Sequence, residues 1–239
     1  MRTAALACAL ALTASACAPS FPTFAGATTT PEGRGDLLVG ASYRAPIAGL
    51  ERSSSPPGVP AYALKSFAAR EGAVPGAAAR YGVGRHLDVG LSASGTGATV
   101  DLRYAASFDD AGRYHLLVGV RGLAAWTTGD GVSGALGGLD IPALFTISFS
   151  GLYELWAGGH VAGLAGAGDL NGQRADAAGV RVGGIAGFSI GFQSFAVLVE
   201  LAVDYESWLG HARDATGSNA RVSRDGIVQT PGLAIRLRL

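Results

Sequence analysis

The chain is poor in the residues that staple folds or bind metals: it has two cysteines, one methionine, four histidines, and Lys65 as the single lysine among 18 basic residues. Cys8 lies inside an apolar leader, so the mature chain keeps at most Cys17 and no intramolecular disulfide can form. Backbone pairing and packing must hold the fold. His86, His115, His160 and His211 sit on separate segments with neither a paired cysteine nor a close second histidine, so no metal-ligand spacing is present and no cofactor motif stands out. Formal net charge is zero and the arginines are spread evenly. That excludes the basic stripe of a nucleic-acid-binding face. Hydrophobic runs are short as well. The stretch 141–168 is nearly uncharged, yet Glu154 is central in it and glycine is frequent, which argues against a helical membrane span.

What the chain has in excess is glycine, 37 of 239 residues, about twice the usual share. No Gly-x-y period appears, which excludes collagen. A hydrophobic fraction of 49% excludes disorder. About 220 mature residues suffice for one domain.

The amino terminus has the layout of a secretory signal peptide over residues 1–16, with Arg2 as the positive region and Ala4 to Ala14 as a short apolar run. A run of roughly a dozen residues is too short to be retained as a span, which needs about 20. Ala14-Ser15-Ala16-Cys17 resembles the lipobox of bacterial lipoproteins, with Ala14 where leucine is usual. The resemblance implies a diacylglyceryl group on the Cys17 sulfur. Ala16-Cys17-Ala18 also fits ordinary small-x-small cleavage, so both processing routes stay open. Residues 17–34, rich in Thr, Pro and Gly, read as a lipid-anchor and linker segment.

From residue 35 onward the dominant signal is period-two alternation, the mark of strands with two different faces. Leu37, Val39, Ala41 and Tyr43 alternate with Asp36, Gly40, Ser42 and Arg44. The pattern recurs through Tyr81 and Val83, Leu87 to Ala93, Val100 to Tyr104, Leu116 to Val120, Phe145 to Phe149, Leu155 to Gly166, and Val180 to Ile190. It is clearest from Phe195 to Tyr205, against Glu200, Asp204 and Glu206, and it returns from Leu233 to Leu239. This makes about ten strands of roughly the 9 to 11 residues that a tilted membrane strand requires. Connections near 85, 110, 151 and 193 read as short, and those at 45–75, 127–140, 168–179 and 207–226 as long. An even strand number puts both ends on one side.

On these features, residues 35–239 resemble the small Gram-negative outer-membrane β-barrel families of the opacity and porin-like kind. The terminal alternating run closing on apolar Leu239 is similar to substrates of the barrel-assembly machinery, which usually end in Phe or Trp. The expected fold is all-β, an antiparallel up-and-down transmembrane barrel. Its partners would be outer-membrane lipids and, during biogenesis, that assembly machinery. A charge facing lipid near the midplane costs about 2 to 4 kcal/mol, so the charged parity must line the lumen. The lining set is Arg44, Arg80, Asp88, Asp101, Arg103, Arg121, Glu154, Arg181, Glu200, Asp204, Arg236 and Arg238. Mixed signs favour a salt-bridged filling over a pore, while inward glycines leave room for a narrow channel. His160 reads as a lumen residue near Glu154 or Trp156. Trp126 and Trp208, with Tyr43, Tyr153 and Tyr205, would fall near strand ends and supply an interfacial aromatic girdle where they face lipid; Trp156 is on the inner parity.

Three motif matches carry competing chemistry. Gly129-Asp130-Gly131-Val132-Ser133-Gly134 matches a dinucleotide fingerprint, but no helix pattern follows it. Gly187-Phe188-Ser189-Ile190-Gly191 matches a nucleophile elbow, with Asp204 and His211 following, but Ser189 sits inside an alternating strand. Asp204, His211 and Asp214 would fall near one rim, where a family of ten-stranded outer-membrane proteases places acids and a histidine. A soluble lipocalin-like lipoprotein, with charges outside, is the rival fold. The functional expectation is a non-enzymatic envelope scaffold, with a narrow solute channel, a rim hydrolase and a lipid-binding lipoprotein as alternatives. Intact-mass measurement should find Cys17 as an acylated first residue. An unmodified start at Pro19, or a free Cys17 thiol, contradicts that expectation.

Overall fold

A computed structural model describes residues 24, 26, 28–50, 71–95, 97–129, 132–150, 152–170, 172–192, 194–213 and 219–239. The leader, Cys17, Lys65 and Asp214 lie outside these residues. Ten strands follow one another: β1 (Gly35–Ala48), β2 (Gly72–Gly84), β3 (Leu87–Ser94), β4 (Gly97–Ser107), β5 (Tyr114–Gly129), β6 (Val132–Phe149), β7 (Tyr153–Leu170), β8 (Gln173–Phe192), β9 (Phe195–Arg213) and β10 (Asn219–Arg238). Each pairs antiparallel with its neighbour in sequence, and β1 pairs β10, so the sheet is a closed up-and-down barrel. The seam runs from Asp36 opposite Arg238 to Ala48 opposite Ile227. Closure leaves no sheet edge along the paired length, which answers the demand that every backbone donor and acceptor be satisfied.

Alternation sets the faces. Along β9 the odd residues Phe195, Val199, Leu201, Val203 and Tyr205 point outward and stay exposed, with Val197 half-buried on the same face, while Leu198, Glu200, Asp204, Glu206 and Trp208 point inward and are buried. From Phe195 to Tyr205 is roughly ten steps of about 3.3 Å; tilted by about 40°, they give an apolar band about 25 Å tall. The stretch 141–168 forms parts of β6 and β7, and among the described residues no helix is long and apolar enough to cross a membrane. Arg103, Arg121 and Glu200 are all buried in the lumen, with apolar residues outside. A soluble lipocalin-like barrel has these faces the other way round.

The rim that holds both barrel ends carries tight turns. Asp109 accepts hydrogen bonds there from the backbone N–H groups of Arg113 and Tyr114 and from Arg113 Nε, at 2.7, 3.0 and 3.1 Å. The Tyr114 N–H, with Arg113 beside it, holds the Asp109 carboxyl below its ordinary range. Outward Phe149, Tyr153, Phe192 and Phe195 ring this rim, and Tyr43, Trp126 and Tyr205 lie toward the other edge of the band. Trp208 departs from the expected girdle: it is on the inner parity and only 1% exposed.

The opposite rim corrects the expectation of long loops at three of the four stretches; most of the fourth, 45–75, lies outside the described residues. Stretches 127–140, 168–179 and 207–226 are mostly strand, joined across Gly129–Val132, Leu170–Gln173 and Arg213–Asn219. Consequently β5 to β10 run 16 to 20 residues. Gly and Ala dominate 127–140 and 168–179, and their lack of bulk disguised alternation there, while 207–226 is rich in charged and small polar residues of the kind loops carry. By contrast β3 has 8 residues and β4 has 11, so the wall is low on that side.

At the seam, Gly40 lies inside the wall, where an added Cβ would overlap the backbone carbonyl of Leu233 and the Cα of Ala234. Neither can move without opening the β1–β10 ladder. Gly40→Val should lower the fraction that migrates as a heat-modifiable folded band in mild detergent. Overpacking of this kind costs about 1 to 3 kcal/mol.

Candidate functional site: a charge-paired lumen

Along the strands that carry the middle of the lumen, inward residues come in the same order: apolar near the terminal rim, charged in the middle, apolar again above. Leu117, Arg121 and Leu123 make this series on β5, and Leu144, Asp140 and Leu136 on β6. Trp156, His160 and Leu164 repeat it on β7. A sandwich of two apolar layers excludes water from the charges between them, so each charge needs a protein partner.

The middle layer supplies those partners as a chain around the wall. Arg121 binds Asp140 through Nε and Nη2. His160 Nδ1 lies 2.8 Å from Asp140 Oδ1, and its Nε2 lies 2.6 Å from Asp204 Oδ1. Two carboxylate acceptors, one on each ring nitrogen, are satisfied together only by the doubly protonated imidazolium. Arg181 Nε stands 3.9 Å from Asp204 and 2.9 Å from Glu206; the second contact is an ion pair not aligned as a hydrogen bond. Glu206 also accepts from Arg44 at 2.5 Å and from the Trp208 indole at 2.9 Å.

Nearer the terminal rim, Asp88 accepts from Arg103 Nε and Nη2 at 2.9 and 2.5 Å, from Arg80 at 3.2 Å, and from the Thr30 N–H at 2.7 Å. Arg80 makes a two-pronged contact with Asp101, both prongs 2.8 Å. Arg238 does the same with Asp36 at 2.8 and 3.0 Å. Glu154 accepts from Arg236 at 3.1 and 3.3 Å and from the Ser189 hydroxyl at 3.0 Å. Glu200 accepts from the Trp156 indole at 3.0 Å and the Phe24 N–H at 3.1 Å.

All twelve residues proposed for the lining thus point inward, in these connected groups. Four members were not in that set: Asp36, Asp140, His160 and Glu206. Their parity was the available signal, since Asp36 alternates with Leu37 and Glu206 continues the series Glu200, Asp204. Asp140 was hidden in a stretch read as loop. His160 meets Asp140 and Asp204 rather than Glu154 or Trp156. With it as imidazolium, the described members are seven arginines and one histidine facing eight carboxylates, a neutral set.

Three inward glycines are occupied by neighbouring side chains. Gly187 and Gly179 are notches filled by the Trp156 and Trp208 rings, and Gly183 is filled by the Asp204 carboxylate. Each indole then donates to a glutamate of β9, Glu200 or Glu206. The residues of the two hydrolase readings do not converge. Ser189 and Asp204 point inward on separate partners, whereas His211 is outward on β9, half-exposed and bonded to Asp176 at 3.0 Å. Gly129 and Val132 pair across a β5–β6 hairpin with no helix after it.

No family model and no curated protein matches the chain. Among solved structures it is similar to Neisserial surface protein A, at 11% identity and TM-score 0.39, over 86% of this chain and 99% of that one. It is also similar to Ail, the attachment invasion locus protein of Yersinia pestis, at 11% identity and TM-score 0.33, over 87% and 99%. Outer membrane protease OmpT of Escherichia coli gives 9% identity and TM-score 0.21, over 86% and 96%. Likeness at this level leaves function to this chain's own residues.

Removing Asp140 strands both Arg121 and His160 in a dry layer. Asp140→Ala should cost about 3 to 5 kcal/mol, read as a lower urea midpoint of the micelle-folded barrel. Asp176→Ala, which breaks the exposed Asp176–His211 pair, should shift stability by less than about 1 kcal/mol.

Proposed function

We propose that the chain is an outer-membrane β-barrel that serves as a structural and interaction scaffold of the cell envelope, with its lumen filled by its own paired charges. One observation carries this reading: the burial pattern is inverted, with an apolar band outside and a neutral, hydrogen-bonded charge lining inside. Lipid solvates the band, and nothing else in an envelope does so at lower cost. A filled lumen leaves the outer wall and the rims as the working surfaces. The tall wall of β5 to β10 continues beyond the band, where Asp176, His211, Arg221 and Asp225 are exposed. Polar side chains on a rigid, projecting sheet suit contact with other envelope components. Outer-membrane lipids and the barrel-assembly machinery are the partners this reading entails, and acylated Cys17 would add a second attachment.

A narrow solute channel is the second reading. It is favoured by a small lumenal cavity of about 30 Å³, room for about two waters, lined mainly by β1, β2, β3 and β4. The two readings separate in planar bilayers. The scaffold yields no stepwise conductance, whereas steps would establish the channel in its place. Membrane insertion is tested at Leu201, which is outward on β9 within the band. Leu201→Arg should lower folding stability in lipid by about 2 to 4 kcal/mol. Release of the native protein from membranes by carbonate alone would sink the whole assignment.

A further inference from the structure

The turns of the terminal rim are not alike. Ser150-Gly151-Leu152 between β6 and β7, and Gln193-Ser194 between β8 and β9, carry no charge in sequence. The β2–β3 and β4–β5 turns carry Arg85, Asp109, Asp110 and Arg113, whose formal charges sum to zero. Aromatic side chains that suit a membrane–water boundary are spread around the whole rim. Of these turns, the β4–β5 turn sets both signs of charge beside them.

Three outward rings form a continuous patch at that turn. Phe108, just past β4, lies 6.4 Å from Phe145 of β6, and Tyr114 at the start of β5 lies 6.3 Å from the same ring, with interplanar angles of 27° and 21°. The Arg113 guanidinium extends the patch, 5.6 Å from the centre of the Tyr114 ring. Asp109 is itself fixed by two backbone N–H groups, and it accepts the Nε–H of Arg113 at 3.1 Å. That contact places the guanidinium without enclosing it: the Arg113 side chain is 58% exposed. Asp110, next in the turn, is exposed as well.

A guanidinium held at a membrane edge is a two-pronged donor for a phosphate, and an exposed carboxylate beside it accepts from an ammonium. A headgroup that carries both, on chains that can lie along outward Leu102, Leu116 and Val118, satisfies the whole sector. An anionic headgroup gains Arg113 but meets two carboxylates. A trimethylated ammonium has no N–H to give to Asp110.

We propose that the β4–β5 turn and the Phe108, Tyr114 and Phe145 rings form a binding site for phosphatidylethanolamine in the leaflet at the terminal rim, with its phosphate on Arg113 and its ammonium on Asp110. The site rests on the outer-membrane reading and gives that barrel a selected lipid.

The full chain is folded in vesicles of equal parts phosphatidylethanolamine, phosphatidylcholine and phosphatidylglycerol with identical acyl chains, then extracted in mild detergent, and its retained lipids are counted by native mass spectrometry. The parent should retain phosphatidylethanolamine over each of the others by about threefold, the effect of one exposed ion pair. Arg113→Gln should lower retention of all three. Asp110→Asn touches no other contact of the turn, and should erase the preference over phosphatidylcholine while leaving phosphatidylcholine itself retained. Heat-modifiable migration identifies folded barrels, and if Arg113→Gln does not fold, Asp110→Asn decides. Equal retention of the three lipids by the parent, a preference for phosphatidylglycerol, or an Asp110→Asn chain as selective as the parent overturns the site. A parent that does not fold into vesicles of any composition overturns the membrane reading beneath it.

Discussion

Everything in this molecule depends on the ladder between β1 and β10. Each of the other nine pairings joins neighbours in sequence and can form by a local hairpin, but this one joins segments nearly two hundred residues apart. Until it forms, two edges carry unpaired amides and carbonyls, and a curved sheet has neither inside nor outside. Once it forms, parity acquires meaning: one face becomes a wall toward apolar surroundings and the other a closed interior. Contacts so distant in sequence are slow to make, since loop-closure entropy must be overcome before they contribute. Seam residues such as Gly40, chosen for lack of bulk, lower the steric part of that cost.

Closure also explains why charge is concentrated inside. An interior bounded by strands offers few waters, so the arginines and carboxylates must satisfy one another, and they do so in rings that cross several strands. Such pairs contribute less to net stability than their number suggests, because desolvation offsets much of the attraction. Their stronger effect is on register. A slip of one residue on β9 would carry Asp204 and Glu206 to the outer face and bring Val203 and Tyr205 against His160 and Arg181. The charge lining thus makes the observed strand alignment far better than its neighbours.

Strand number, order and facing were legible because they rest on parity alone, which a single sequence displays in full. Strands such as β9, with large apolar residues against acids, announce themselves. The upper halves of β5 to β8 did not, since Gly and Ala contrast too little with each other to reveal alternation. The fate of the inward glycines was also unreadable. Gly187 receives Trp156 from β7 and Gly179 receives Trp208 from β9, and such cross-strand fillings require knowledge of register. The partners of His160 were missed for the same reason, as neighbours brought together by the sheet and not by sequence, whereas Asp140 was lost in a stretch read as loop. Phe24, Gly26 and Thr30 fall in a stretch that looks like a linker by composition, and only three-dimensional contact reveals their places beside Glu200, Glu154 and Asp88.

The unequal height of the wall has a consequence for any bilayer around it. At about 3.3 Å per residue and a tilt of about 40°, the 8 residues of β3 rise only about 20 Å, less than the band on β9. Lipids cannot meet both heights with one thickness. Chains beside β3 must compress or splay while those beside β8 and β9 stay extended, or the barrel must lean toward its low side. Either response makes the surrounding leaflet anisotropic, with a thin sector fixed to one side of the protein. A neighbouring membrane protein would then experience a force that depends on the direction of approach, even before touching a side chain.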